Sequence, residues 1–247
     1  MQYCVDTAVI LAAGMGTRLR ELGQIKPKGF LRIGAKPIIE ESIERLVRTG
    51  IKRIIIVTGH HAEFYDALRE DYPGLIETIH NKLYSCSGSM YTLYQIRDYV
   101  EGGFLLLESD LIYEQSALQA VQSFRKDNVV LLSGPTNSGD EVYVETNSGL
   151  LRAMSKDRNA LGKEISGELV GISKISRQLF EIMGFKAHEM FQSTLYVDYE
   201  IDGLVAASKE YPVYCHVVQD LLWAEIDDEQ HLTRARTLIY PKIVEEL

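Results

Sequence analysis

Three apolar runs alternating with two amphipathic segments constrain this chain more than any other feature. Thr7–Ala13, Ile51–Thr58 and the shorter Leu75–Ile79 read as strands, because continuous apolar runs of this length suit strands covered on both faces. Between them, Pro37–Gly50 places Ile38, Ile39, Ile43, Leu46 and Val47 at helical spacing with Gly50 as a stop, and Glu63–Tyr72 reads as a second helix. Strand, helix, strand, helix, strand is the order of a parallel sheet with helices on both faces, so the fold class is α/β. Ser89–Val100 adds a helix, and Phe104–Leu107 a strand that runs into Glu108, Ser109 and Asp110. Open α/β sheets place ligand chemistry at the carboxyl ends of such strands.

The second half changes character. Val129–Ser133, Glu141–Thr146 and Gly167–Ile172 read as strands set apart by turns at Asn137-Ser138-Gly139 and Asn147-Ser148-Gly149. Ser176–Met183 and Asp198–Ser208 read as helices, Val213–Val217 and Trp223–Ile226 as strands, and Glu229–Arg236 as a final helix. No repeat or linker breaks the pattern, which predicts one domain over residues 1–247.

Composition narrows the partners. A formal charge of -9 disfavours broad nucleic-acid binding, because phosphates must be offset by local Lys and Arg. Three widely spaced cysteines, Cys4, Cys86 and Cys215, favour neither a disulfide framework nor a thiolate zinc site. With no signal-peptide pattern and no apolar run of membrane-spanning length, the expectation is a cytoplasmic protein with no membrane partner.

Leu11-Ala12-Ala13-Gly14-Met15-Gly16-Thr17-Arg18-Leu19 is the most informative stretch. Glycines between a strand and a cation let backbone N–H groups approach phosphate oxygens, and Arg18 adds a forked charge-assisted contact. Ala12 and Ala13 leave room for a base or ribose. The stretch lacks the closing Gly-Lys-Ser/Thr of a P-loop and the third glycine of a dinucleotide fingerprint. A Gly-x-Gly pair alone is weak evidence, since turns use glycine freely; the nearby Lys26-Pro27-Lys28-Gly29-Phe30 places two ammonium groups beside it.

Together these two segments resemble the signature of the sugar-nucleotidyltransferase superfamily, and within it the chain is similar to the phosphocholine and 2-aminoethylphosphonate cytidylyltransferases, most of all to the latter. The resemblance extends over nearly the whole chain and implies a three-layer α/β/α nucleotidyltransferase fold, with a mostly parallel central sheet and a mixed second half. Residues from about 1 to 125 would form the nucleotide-binding half, and 126–247 the acceptor-binding half that completes the core. It implies that Leu11 to Arg18 and Lys28 bind the nucleotide, with Gly14, Gly16 and Arg18 cradling the triphosphate and Lys28 on the reacting phosphates. Arg18 and Lys28 are the expected catalytic groups, because phosphoryl oxygens need a nearby cation.

The cofactor implied is Mg2+, which prefers carboxylate and water oxygens. The family pattern points to Asp110 after the central strand and Asp227 in the late Glu-Ile-Asp segment as its ligands, with Asp110 also touching nucleotide and Glu108 in a supporting place. Either aspartate could instead cap a helix, and Asp228 is adjacent in register. Asn81, Ser87, Gly88 and Ser89 are expected at the base, since a small polar turn can present groups to a pyrimidine edge. The resemblance favours CTP; the residues alone do not separate it from UTP.

The acceptor is expected to be a small phosphonate or phosphate. A primary ammonium needs carboxylates, whereas a trimethylammonium favours an aromatic cage. The blocks Ser138–Tyr143, Gly167–Gly171 and Ser87–Leu93 are similar to those of the aminoethylphosphonate branch, so 2-aminoethylphosphonate is expected to receive CMP, with Asp198, Glu168, Asp140 and Tyr199 as acceptor contacts. Phosphocholine is the alternative acceptor, followed by a sugar 1-phosphate and then by a non-catalytic nucleotide-binding module. The single Trp223 reads equally as core. His60 and His61 are expected to point apart and to serve no metal. The resemblance also admits a homodimer, and a pyridoxal-phosphate transaminase fused outside these residues.

Overall fold

The structure is a computed structural model and describes residues 4–19 and 21–245. Among the described residues eleven strands form two sheets: β1 Thr7–Ala12, β2 Arg53–Thr58, β3 Ile76–His80, β4 Phe104–Glu108, β5 Leu111–Tyr113, β6 Val129–Ser133, β7 Tyr143–Asn147, β8 Leu150–Ser155, β9 Ile165–Ile175, β10 Tyr214–Val218 and β11 Trp223–Glu225. Nine of them lie in the order β3-β2-β1-β4-β9-β6-β10-β8-β7, and β5 pairs with β11 in a separate ribbon.

Parallel pairing of β3, β2, β1 and β4 follows from the helices between them, which carry the chain back across the sheet. Successive residues of β1 enter opposite apolar layers: Val9 and Leu11 pack with Met90, Leu93, Leu179 and Met183, while Ala8, Ile10 and Ala12 pack with Ile39, Ile43, Leu46 and Leu68. Both faces of the strand are therefore dry, which is why its sequence is apolar without alternation. The helices Ile38–Arg48, Ala62–Asp71 and Gln115–Ser123 cover one face, and Ser89–Tyr94 and Arg177–Met190 the other, giving three α/β/α layers.

Beyond β4 the sheet becomes mixed. The long β9 runs antiparallel to β4 through Ile172–Ile175 and to β7 through Ile165–Glu168, with β6 on its other side. The turn Asn147-Ser148-Gly149 connects β7 to β8, and φ angles of 53° at Ser148 and 77° at Gly149 reverse the chain there. Ser89–Val100 is helical only through Tyr94, Asp198–Ser208 is a π-helical turn from Tyr199 to Leu204 followed by a short α-helix, and β5, β8, Gln115–Ser123 and Tyr240–Glu245 are elements the apolar pattern does not reveal.

The β5–β11 ribbon matters most for the site. It pairs Glu225 with Leu111, and the Ile226 amide donates to the Asp110 carbonyl at 3.1 Å. Late acids are thereby fixed beside an early one. Among the described residues no helix is long and apolar enough to cross a membrane. The three cysteines are free thiols.

Candidate active site

The carboxyl ends of β1 and β4 open into a cleft of about 270 Å³. Its wall includes Leu11, Ala12, Ala13, Gly14, Arg18, Lys28, Ser87, Gly88, Ser89 and Asp110, so these expected nucleotide residues are brought together from four separate segments. Met15, Gly16 and Thr17 lie outside the wall: Met15 is 43% exposed, and the Gly16 carbonyl accepts from Leu19 N to close the turn. Asn81 is also outside it and fully buried. Its amide nitrogen donates to Ser87 Oγ at 3.1 Å and Thr92 Oγ1 at 3.0 Å, and its oxygen accepts from Leu83 N, so Asn81 shapes the turn that carries Ser87 rather than facing the cleft.

Charge alternates across the cleft floor. Lys28 Nζ donates to Asp110 Oδ2 and to Asp227 Oδ1, both at 2.7 Å; Arg18 Nη2 reaches the same Asp227 oxygen at 2.6 Å. Arg18 Nη1 continues to Asp140 at 2.7 Å, whose other oxygen accepts from Lys156 at 2.7 Å. Burial works against a charged Lys28, but Asp110 and Asp227 outweigh it and hold its pKa above the ordinary lysine value. Burial likewise opposes ionisation of Asp140, yet Lys156 and Arg18 hold its pKa down at about 2. Gly29 explains how Lys28 gets so close to the strand end: a Cβ there would stand 2.9 Å from the Ser109 carbonyl and from the Tyr65 hydroxyl.

Asp227 and Asp228 divide the roles that sequence left between them. Asp227 is 2% exposed and faces the cations, whereas Asp228 caps the following helix by accepting from Gln230 N and His231 N, both at 2.8 Å.

Carboxylate oxygens of Glu108, Asp110 and Glu225 lie within 4.8 Å of one another. This all-oxygen donor set suits a hard divalent cation such as Mg2+. Asp227, expected as the second metal ligand, stands outside that trio but is joined to Asp110 through Lys28. Burial, followed by the neighbouring Glu225 and Glu200, pushes Glu108 well above the usual carboxylate range; burial, then Asp110 and Asp227, does the same to Glu225. Concentrated, partly desolvated negative charge of this kind is relieved by a bound cation. Glu225 was legible in principle, since it lies two residues before Asp227 on an extended segment.

A second, smaller cavity of about 40 Å³ adjoins the cleft, and Glu108, Glu225 and Asp227 line both. Asp140 and Glu168 are in its wall, as expected of acceptor residues, together with Glu141, Glu200 and Trp223. Asp198 and Tyr199 are not. Asp198 Oδ1 accepts from Glu200 N and Ile201 N at 2.8 and 2.9 Å, capping the π-helical turn, and its Oδ2 accepts from Ser89 Oγ at 3.3 Å. Tyr199 is 1% exposed among apolar neighbours, with its hydroxyl donating to Glu200 Oε1 at 2.6 Å. Glu200 carried no local sequence signal; only the turn brings it into the cavity. Burial and then Asp198 raise its pKa to about 8.

His60 and His61 do not point apart. Their ring centroids are 3.9 Å from each other because His61 takes a left-handed φ of 56°, and His61 is engaged by the Gln24 carbonyl and Glu63.

The model of the family described as "Nucleotidyl transferase" matches residues 7–142, the segment that holds the glycine turn, Lys28 and Asp110. The chain belongs to that family. A choline-phosphate cytidylyltransferase of Streptococcus pneumoniae is 34% identical over 107 residues, 43% of this chain and 46% of that protein. A CMP-5'-(3-aminopropyl)phosphonate synthase of Streptomyces rubellomurinus is 28% identical over 235 residues, 90% of this chain and 37% of that one. The chain thus spans less than half the length of these two relatives. A 2-aminoethylphosphonate cytidylyltransferase of Lancefieldella rimae is 28% identical over 236 residues, 91% and 89% of the two chains. The solved inositol-1-phosphate CTP transferase from T. maritima superposes with a TM-score of 0.83 at 20% identity, covering 100% and 99% of the two chains. This nucleotidyl transferase therefore shares the whole fold of that enzyme.

Proposed function

We propose that this chain transfers CMP from CTP to 2-aminoethylphosphonate with magnesium, releasing pyrophosphate. One observation carries the reading: a cleft of about 270 Å³ with Arg18 and Lys28 on its wall shares three carboxylates with an adjoining acidic cavity of about 40 Å³. The names of the aminoalkylphosphonate and phosphocholine relatives support cytidine as the nucleoside and a cationic phosphorus acid as the acceptor.

In this reading the Gly14 segment, Arg18 and Lys28 bind the triphosphate, and Ser87, Gly88 and Ser89 meet the base. The first half of the chain, about 1–125, supplies most of the nucleotide wall and the second, 126–247, most of the acceptor wall, with Glu108, Glu225 and Asp227 lining both. A phosphonate oxygen of the acceptor attacks the α-phosphorus, and the bond to the bridging oxygen breaks with its electron pair leaving on pyrophosphate. The attacking oxygen is already anionic near neutral pH, so no side chain needs to remove a proton. Arg18 and Lys28 lower the repulsion between two anions and stabilise charge on the leaving group. Asp110, Glu108 and Glu225 would hold magnesium, with Asp227 joined to Asp110 through Lys28, and the bound ion would supply Lewis-acid stabilisation of the phosphoryl oxygens. A reducing cytoplasm fits the three free thiols.

Phosphocholine is the second acceptor to consider, because Trp223 lines the acidic cavity and a trimethylammonium favours aromatic faces. The cavity is small and dominated by carboxylates, which favours the primary amine. Pyrophosphate release from CTP and Mg2+ should rank 2-aminoethylphosphonate above phosphocholine and sugar 1-phosphates in kcat/KM. A dominant efficiency with phosphocholine would reverse the assignment.

A further inference from the structure

The acidic cavity has more carboxylates than an acceptor ammonium needs, and their existing partners separate them. Asp140 has one oxygen on Arg18 and the other on Lys156, and Asp227 holds both Arg18 and Lys28. Glu108 and Glu225 belong with Asp110 to the cation-binding trio. Glu168 accepts from Thr136 N at 2.8 Å and Glu141 from Gly139 N at 3.0 Å, and both also line a separate surface cavity beside Tyr143 and Arg158. Glu200 makes no ion pair among the described residues, and its one side-chain bond is the hydroxyl of Tyr199 on Oε1 at 2.6 Å. That bond fixes the carboxyl group and leaves Oε2 to a ligand; burial and Asp198 raise its pKa to about 8, so a bound ammonium is the opposite charge that brings it to its ionised form.

Position favours the same residue. Glu200 lines one cavity with Glu108 and Glu225, two members of the cation-binding trio. Only two carbons separate the amine of 2-aminoethylphosphonate from phosphorus, which keeps the ammonium close to the reacting oxygens. Trp223 lines the same cavity and is 9% exposed, so its ring closes this wall with an apolar surface. We infer, resting on the cytidylyl-transfer reading above, that Glu200 is the specificity-determining carboxylate that selects a primary ammonium two carbons from the acceptor phosphorus, with Tyr199 as its positioning residue.

The test compares kcat/KM for 2-aminoethylphosphonate with that for ethylphosphonate, which lacks the amine, at saturating CTP and Mg2+. Wild-type protein should prefer the amine. Glu200→Gln keeps the size of the side chain and an oxygen for Tyr199, and should lower that preference about tenfold or more, the loss of one charge-assisted contact. Tyr199→Phe leaves the carboxylate but frees its rotamer, and should lower the preference about threefold without changing its sign. It provides an independent arm if Glu200→Gln folds poorly. Glu168→Gln should lower the preference less than Glu200→Gln does. A wild-type preference that persists undiminished in both Glu200→Gln and Tyr199→Phe overturns the role of Glu200 alone. A wild-type protein that uses neither amine-bearing phosphonate nor phosphocholine overturns the cytidylyl-transfer reading itself.

Discussion

At the scale of single residues, the site is organised by which carboxylates already have a cation. Asp110 and Asp227 share Lys28, and Asp227 also holds Arg18, so the cleft carries fixed opposite charges a hydrogen bond apart. Replacing Asp110 by Asn keeps its shape and removes its charge; turnover is expected to fall about 10²- to 10³-fold, the usual cost of losing one electrostatic group at a reacting centre. Thermal melting should show the fold retained, and unchanged turnover would take Asp110 out of the mechanism. Asp228 makes the complementary prediction. Backbone amides of His231 and Gln230 hold its pKa below the ordinary value of 3.8, so its stabilising contribution is complete above that value and is lost as pH falls through the lower folded-state pKa. Asp228→Ala should cost about 1 kcal/mol at pH 7 and less in acid, with Asp228→Asn, which keeps an acceptor but loses the charge, falling between wild type and alanine at pH 7. Denaturant melts at pH 7 and at about pH 3 distinguish the two; an equal loss at both pH values would contradict the cap as an ionic one. Asp227 and Asp228 could not be separated by sequence, because both follow the same strand and either could cap or coordinate. Burial in the folded chain decides.

At the scale of elements, two connections assemble the site. The β5–β11 ribbon carries Glu225 and Asp227 to Asp110, and the contact between the Gly88 turn and residues 195–197 joins the larger cleft to the turn that bears Glu200. In the second connection Gly88 N donates to Leu195 O at 2.8 Å and Met90 N to Val197 O at 2.9 Å. A Cβ on Gly88 would lie 2.3 Å from the Val197 carbonyl. Gly88→Ala should therefore destabilise the protein by about 1–3 kcal/mol and raise KM for CTP, since the turn must move away from the segment it is bonded to. An alanine variant with wild-type melting and CTP affinity would show that the turn has slack. Apolar periodicity made β1, β2, β6 and the helix Ile38–Arg48 legible, because each buries a face set by its own sequence. It did not reveal β5 or β8. Three residues of β5 gain their strand character from a partner more than a hundred residues away, and β8 alternates buried with exposed positions too irregularly to read.

At the scale of the molecule, the apolar layers join both halves of the chain: one contains Val9 and Val213, another Ala8 and Trp223. The acidic cavity and the cation-floored cleft are consequently fixed to one framework, and a net charge of -9 coexists with a floor of cations that are each paired in place. The glycine turn, Lys28 and Asp110 were readable because phosphate chemistry demands those groups close together in sequence or at strand ends. Glu200 was not, since nothing near it in the chain indicates the cavity it lines, and Asp198, the more conspicuous acid, spends its oxygens on backbone amides and Ser89.

Magnesium-dependent transfer of a cytidylyl group is the activity proposed for this cleft. Its most direct test offers the protein an equimolar mixture of ATP, GTP, CTP and UTP with 2-aminoethylphosphonate and Mg2+, and follows the phosphorus resonances of every species. CTP alone should be consumed, with CMP-2-aminoethylphosphonate and pyrophosphate appearing in equal amounts and both stopping when the metal is chelated. Consumption of another triphosphate at a comparable rate, or CTP left intact beside the acceptor, would contradict the account.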